Sequence, residues 1–157
     1  MITAGDLSPN GQIVTLAING GSDLIIVDTS CHKSTNDFSQ TLTGFQSGKT
    51  ILSLNWLPNT SRLVSSGTDF LAKLYDLRSN KCTLSLKGHS NAISSAAISV
   101  NEHWLATASW DKSIGLWSLS SGIYRSEGPS SFTKGHTSSV SCVAMTSDCE
   151  LHLYFPF

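Results

Sequence analysis

Residues 88–119, GHSNAISSAAISVNEHWLATASWDKSIGLWSL, decide how the rest of this 157-residue chain reads. The stretch opens on Gly88-His89. From Ile93 to Ser99 apolar and polar residues alternate, the pattern of a half-buried strand. Trp104-Leu105-Ala106-Thr107-Ala108-Ser109 is a second short run, Trp110-Asp111-Lys112 a turn, and Ile114 to Leu119 a third run that contains Trp117. Working outward, the same layout returns on both sides. Gly44 precedes Gly88 by 44 residues, Gly135 follows it by 47, and Tyr75 stands 42 residues before Trp117. A recurrence of about 40–45 residues is the spacing of a repeat architecture in which each unit is a small sheet.

Upstream, Ile2–Leu7, Ile13–Ile18 and Leu24–Asp28 read as strands separated by the turns Ser8-Pro9-Asn10-Gly11 and Asn19-Gly20-Gly21-Ser22-Asp23, rich in residues that accept turn geometry. Residues 29–37 read as a polar loop and Phe38–Leu42 as a fourth strand. The next unit begins at Gly44-Phe45 and holds Ile51–Trp56, Arg62–Ser66, Ala72–Leu77 and Cys82–Leu86, with Gly67-Thr68-Asp69 as a turn. A last unit starts at Gly135-His136 with Val140–Ala144. It continues into Asp148–Phe157, where no turn Asp and no closing Trp follow.

The Gly-His start, the turn Asp and the Trp closing the third run resemble one WD40 repeat, and the whole chain resembles an array of them. The resemblance implies an all-β fold: a partial WD40 β-propeller of three four-stranded antiparallel blades plus an incomplete fourth. The units run 1–42 (degenerate), 43–86, 87–134 (the best match) and 135–157 (incomplete, with an atypical tail). In the family a His, a Ser or Thr, the turn Asp and the Trp share one hydrogen-bonded set. Here that implies a full set of His89, Thr107, Asp111 and Trp117. Ser65 and Asp69 remain in the second unit, where Phe45 and Tyr75 replace His and Trp, and the fourth keeps His136. Trp110-Asp111 is not the dipeptide that names the family, because it falls in the turn. Its positional equivalents are Val27-Asp28, Tyr75-Asp76 and Trp117-Ser118.

Composition narrows the function classes. Charged residues make up 13% of the chain, about half the usual share, and net charge is −1. No Lys/Arg cluster exists, so a nucleic-acid or membrane partner is not expected. The four cysteines, Cys31, Cys82, Cys142 and Cys149, lack metal or redox spacing and read as small core hydrophobes. No secretion signal or membrane-length apolar run is present, which points to a cytoplasmic setting, with the nucleus an alternative. It also leaves the sequon Asn59-Thr60-Ser61 without consequence.

No catalytic, cofactor or metal site is expected. Gly44-Phe45-Gln46-Ser47-Gly48-Lys49-Thr50 is one residue short of a phosphate-binding loop and precedes a strand rather than a helix. His32, His103 and His152 lack ligands at metal spacing. The functional signal is the residue before each turn Asp, Trp110 and Thr68. In the family this turn projects on the propeller's top face, where partners dock, and Trp is enriched at interface centres. Asn91 and Lys49 fall on the same face. The expected function is a non-catalytic scaffold for a protein or peptide partner, with self-association a further option. Three and a half units suggest a truncated product of a larger WD40 protein. The terminal run Leu151–Phe157 reads as an exposed edge or a strand that a partner covers. The alternative is the WD40 part of a telomerase-associated-like ribonucleoprotein or of an NTPase–WD40 regulatory protein contacting RNA.

Overall fold

The computed structural model describes residues 1–18, 24–29, 39–42, 49–121, 136–146 and 151–154, and the statements below concern these. They contain strands and turns but no helix, and hence no helix able to cross a membrane. The first sheet comprises β1 (Ile2–Leu7), β2 (Ile13–Ile18), β3 (Leu24–Asp28) and β4 (Ser39–Leu42), hydrogen-bonded in chain order. The second has β5 (Ile51–Trp56), β6 (Arg62–Gly67), β7 (Leu71–Asp76) and β8 (Lys81–Lys87), again in order. The third contains β9 (Ile93–Ile98), β10 (Trp104–Ser109) and β11 (Ile114–Ser118). Residues 122–135, where a fourth strand of that unit would fall, lie outside the described set. Last, β12 (Cys142–Met145) pairs with β13 (Leu151–Tyr154), so part of the terminal apolar run is the second strand of a sheet. Every pairing is antiparallel, and the sheets do not close into a ring.

Alternation explains why the sheets stack. Successive side chains on a strand point to opposite faces, so a strand apolar at both parities must be covered on both sides. On one face of the second sheet, Leu54, Trp56, Leu63 and Tyr75 pack with Ala17 and Leu24 of the first. On its other face Val64, Ala72, Leu74 and Leu86 pack with Ile93, Ala96, Leu105 and Trp117 of the third. Ala106, Ala108 and Ile114 then meet Val140 and Val143.

Side-chain hydrogen bonds tie the stack at its inner strands. Ser53 Oγ accepts the Ala96 N–H at 3.3 Å, and Ser95 Oγ, at the matching register position, accepts the Val143 N–H at 3.4 Å. The first sheet has Ala4 there. Its link moves to Asp6, whose Oδ2 accepts the Trp56 N–H at 2.7 Å, while the Trp56 indole donates to Thr15 Oγ1 at 3.1 Å.

The cysteines correct one expectation. Cys82 and Cys142 are exposed, not core residues. Cys82 lies on β8, whose first three residues face solvent. Cys142 takes the register position of Ser53 and Ser95, on the outward face of the last sheet. Cys31 and Cys149 lie outside the described residues.

Candidate functional site

The third sheet builds a buried polar cluster from three elements. β10 supplies Thr107 and β11 supplies Trp117 on the same face, while the segment before β9 brings in His89. The Trp117 indole, donor only, donates to Thr107 Oγ1 at 2.8 Å. Thr107 Oγ1 lies 2.7 Å from His89 Nε2, and His89 Nδ1 lies 2.8 Å from Asp111 Oδ2. With Nδ1–H donating to the carboxylate and Nε2 accepting from the hydroxyl, every member of the set has a partner. Gly115 makes room. A Cβ there would stand 2.7 Å from Thr107 Oγ1 and 2.8 Å from Trp117 Nε1. Burial works to raise the Asp111 carboxyl. The Ser113 hydroxyl, the Ser90 N–H and the His89 imidazole outweigh it and hold the group at about 2. The His89 side chain is only 1% exposed and both its nitrogens are engaged, so it has no face to offer a substrate.

The second sheet solves the same position differently. Ser65 faces Lys73 across the β6–β7 ladder, where Thr107 faces Gly115 in the third. Lys73 is buried there, and its Nζ pairs with Asp69 Oδ2 at 3.1 Å. Burial, then the Cys82 thiol and the Asp69 carboxylate, push the Tyr75 phenol well above its usual range, so it stays protonated. Lys73 escaped the sequence reading because a lysine inside a strand normally reads as a solvated residue. The signal was its alignment with Gly115. In the first sheet Leu16, Ile25 and Val27 take the positions of Thr107, Gly115 and Trp117. His136 is half-buried ahead of β12. Phe45 lies outside the described residues, as do Gly44 to Gly48 of the phosphate-loop-like segment.

The turns β6–β7 and β10–β11, the start of β5 and β9 and the end of β8 all lie at one end of the sheets, here called the upper end. Trp110 is 45% exposed there, with its backbone fixed by an N–H donated to Ala92 O at 2.9 Å. Asn91 and Lys49 are exposed; Thr68 is half-buried, its Oγ1 accepting the Thr50 N–H at 3.0 Å. The sequence reading missed Phe70, 40% exposed in the turn beside Thr68, and the exposed Lys87 and Lys112. At the lower end a cavity of about 450 Å³ opens between the first two sheets, with Ile13, Trp56 and Leu77 in its wall and Arg78 beside them. Among the described residues, no group of three His, Cys, Asp or Glu converges as metal ligands would.

Comparison with known proteins agrees with this geometry. The family model "WD domain, G-beta repeat" matches residues 36–76 and 80–118. Over 61 residues the chain is 39% identical to the guanine nucleotide-binding protein subunit beta of Schizosaccharomyces pombe, covering 39% of this chain and 20% of that protein. Over 114 residues it is 30% identical to the p21-activated protein kinase-interacting protein 1-like of Danio rerio, covering 71% and 28%. Over 37 residues it is 49% identical to the small ribosomal subunit protein RACK1 of S. pombe, covering 24% and 12%. The chain thus spans less than a third of each of these relatives. With two repeats matched over half its length and the stacked antiparallel sheets they require, the chain belongs to the WD40-repeat family.

Proposed function

We propose that this chain is a non-catalytic interaction scaffold that holds a protein or peptide partner at its upper end, with repeat units at 1–42, 43–86, 87–134 and 135–157. Exposure of Trp110 carries the reading. An indole left in water forgoes the gain of burial, on the order of 2 kcal/mol for a large apolar side chain. Its backbone is pinned beside the His89–Asp111 cluster, so it is presented rather than loosely held. A rigid aromatic anchor is the feature that dominates protein interfaces. Thr68, Asn91 and Lys49, at the same end of the sheets, are lesser contacts. The relatives named for a kinase they interact with, or for a G-protein subunit, fit the same class.

A photo-crosslinking residue placed at position 110, with a control at Arg78 on the lower end, tests this in cells. We expect a defined protein adduct from position 110 that position 78 does not give. Identical adducts from both positions, or none from 110, would remove the upper end as the docking site. Light scattering on the purified chain reads self-association: a discrete dimer would make a second copy of the chain one of its partners.

A further inference from the structure

Phe70 stands in a backbone conformation that opposes it. Its φ is +68°, in the left-handed region, and Lys112 at the matching position of the next turn has φ +73°. Bulky residues rarely adopt this conformation, and such outliers persist where the surroundings impose them and cluster at binding sites. Phe70 is also 40% exposed, so neither backbone nor solvent favours an aromatic ring there. A small polar residue would fit the turn better on both counts.

Among the described residues, charge at this end is one-sided. Lys49, Lys87 and Lys112 are exposed. The acids among the described residues at the same end are turned inward: Asp69 pairs with Lys73, and Asp111 binds His89. The other described carboxylates, Asp6, Asp28, Asp76 and Glu102, lie toward the lower end. The chain carries a net charge of −1, yet its upper end presents lysines without an exposed described acid to balance them.

Resting on the upper-end reading above, we propose that the partner segment is an acidic peptide with interspersed apolar side chains. Phe70 and Trp110 take the apolar groups, and Lys49, Lys87 and Lys112 take the carboxylates. Three dispersed lysines suit a few carboxylates. They do not form the continuous basic stripe that a phosphate backbone demands.

Fluorescence anisotropy on the full chain tests it with three labelled peptides of equal length and one oligouridylate. One peptide mixes Asp and Glu with Phe and Leu, a second replaces the acids by Lys, and a third replaces the apolar residues by Ser. We expect the acidic–apolar peptide to bind tightest. We also expect about tenfold weaker binding in the triple variant Lys49→Glu/Lys87→Glu/Lys112→Glu, with a similar weakening as salt rises. Phe70→Asn, whose side chain tolerates the left-handed turn, should weaken the acidic–apolar peptide without lowering the melting temperature. Preference for the basic peptide or the oligouridylate, or no binding of any probe, overturns the proposal. If the basic peptide wins and Trp110→Ala abolishes its binding, the docking end stands and only the partner's charge is wrong. If the acidic–apolar peptide binds but ignores Trp110→Ala, Phe70→Asn and the lysine triple, the upper-end reading itself fails.

Discussion

A methyl group on Gly115 would have to enter space held by Thr107 Oγ1, Trp117 Nε1 and, at 3.0 Å, His89 Nε2. Gly115→Ala should therefore cost about 3 kcal/mol, the upper range for overpacking a filled site. His89→Ala leaves the Thr107 hydroxyl short of a partner and should cost roughly 1–3 kcal/mol. Both act on one cluster, so denaturant melts of the double variant should show less than the sum. The same cluster makes stability pH-dependent. Asp111 is held at about 2 in the folded chain against an ordinary 3.8. A depressed carboxyl contributes fully above its unfolded value, and the contribution is lost as pH falls toward the folded one. Melting temperature should drop between pH 4 and pH 2 in the native chain, and Asp111→Asn should lose most of that dependence. Equal pH profiles would assign the acid sensitivity to other carboxyls. Ser66 gives the opposite case: its buried hydroxyl has no hydrogen-bond partner among the described residues, and Ala108 occupies the matching place in the third sheet. Ser66→Ala should leave stability unchanged or raise it by about 1 kcal/mol.

At the scale of the sheet, one position is filled in two ways. In β11 a glycine admits the imidazole of a preceding loop; in β7 a buried lysine takes that register position and pairs with the turn Asp. Lys73→Met should cost about 3 kcal/mol by removing the ammonium that pairs with Asp69 Oδ2, while Oδ1 keeps the Leu71 N–H, and adding Asp69→Asn should recover part of it. A double variant no more stable than Lys73→Met would show that Lys73 acts by packing its chain rather than by charge. This contrast also marks how far the residues alone carried the reading. Strands were legible because alternation and turn residues are local properties, and β5, β6, β9 and β10 fall where the pattern placed them. The His89, Thr107, Asp111 and Trp117 set was legible only through family resemblance, since its members lie up to 28 residues apart. Lys73 and Phe70 were not, because each replaces a residue type rather than repeating it. Cys82 and Cys142 were misread for a related reason: burial on a strand depends on what covers that face, and residue type alone does not say.

Stacking in chain order gives the whole molecule a nearest-neighbour stability. Each sheet packs on its neighbour in the chain, the second and third on both faces and the first and last on one face only among the described residues. The second sheet is covered on both faces, and the third meets it through Trp117, Leu105, Ile93 and Leu74, all nearly inaccessible. Amide exchange should therefore be slowest in β6, β7 and β10 and faster in β1, β2 and β12, which belong to sheets packed on one side only among the described residues. Leu105→Ala, at the centre of the interface between second and third sheets, should cost about 2–5 kcal/mol. In a chain of nearest-neighbour units that loss should speed exchange on both sides of the cut, in β6–β7 and in β9–β11. The first sheet, tied to the second by Asp6, Thr15 and Trp56, should change less. A uniform acceleration in every sheet would mean that the stack unfolds as one cooperative body. The Asp6–Trp56 and Ser53–Ala96 links would then transmit stability across the whole array, and substitutions at the upper end would have to be judged against global unfolding.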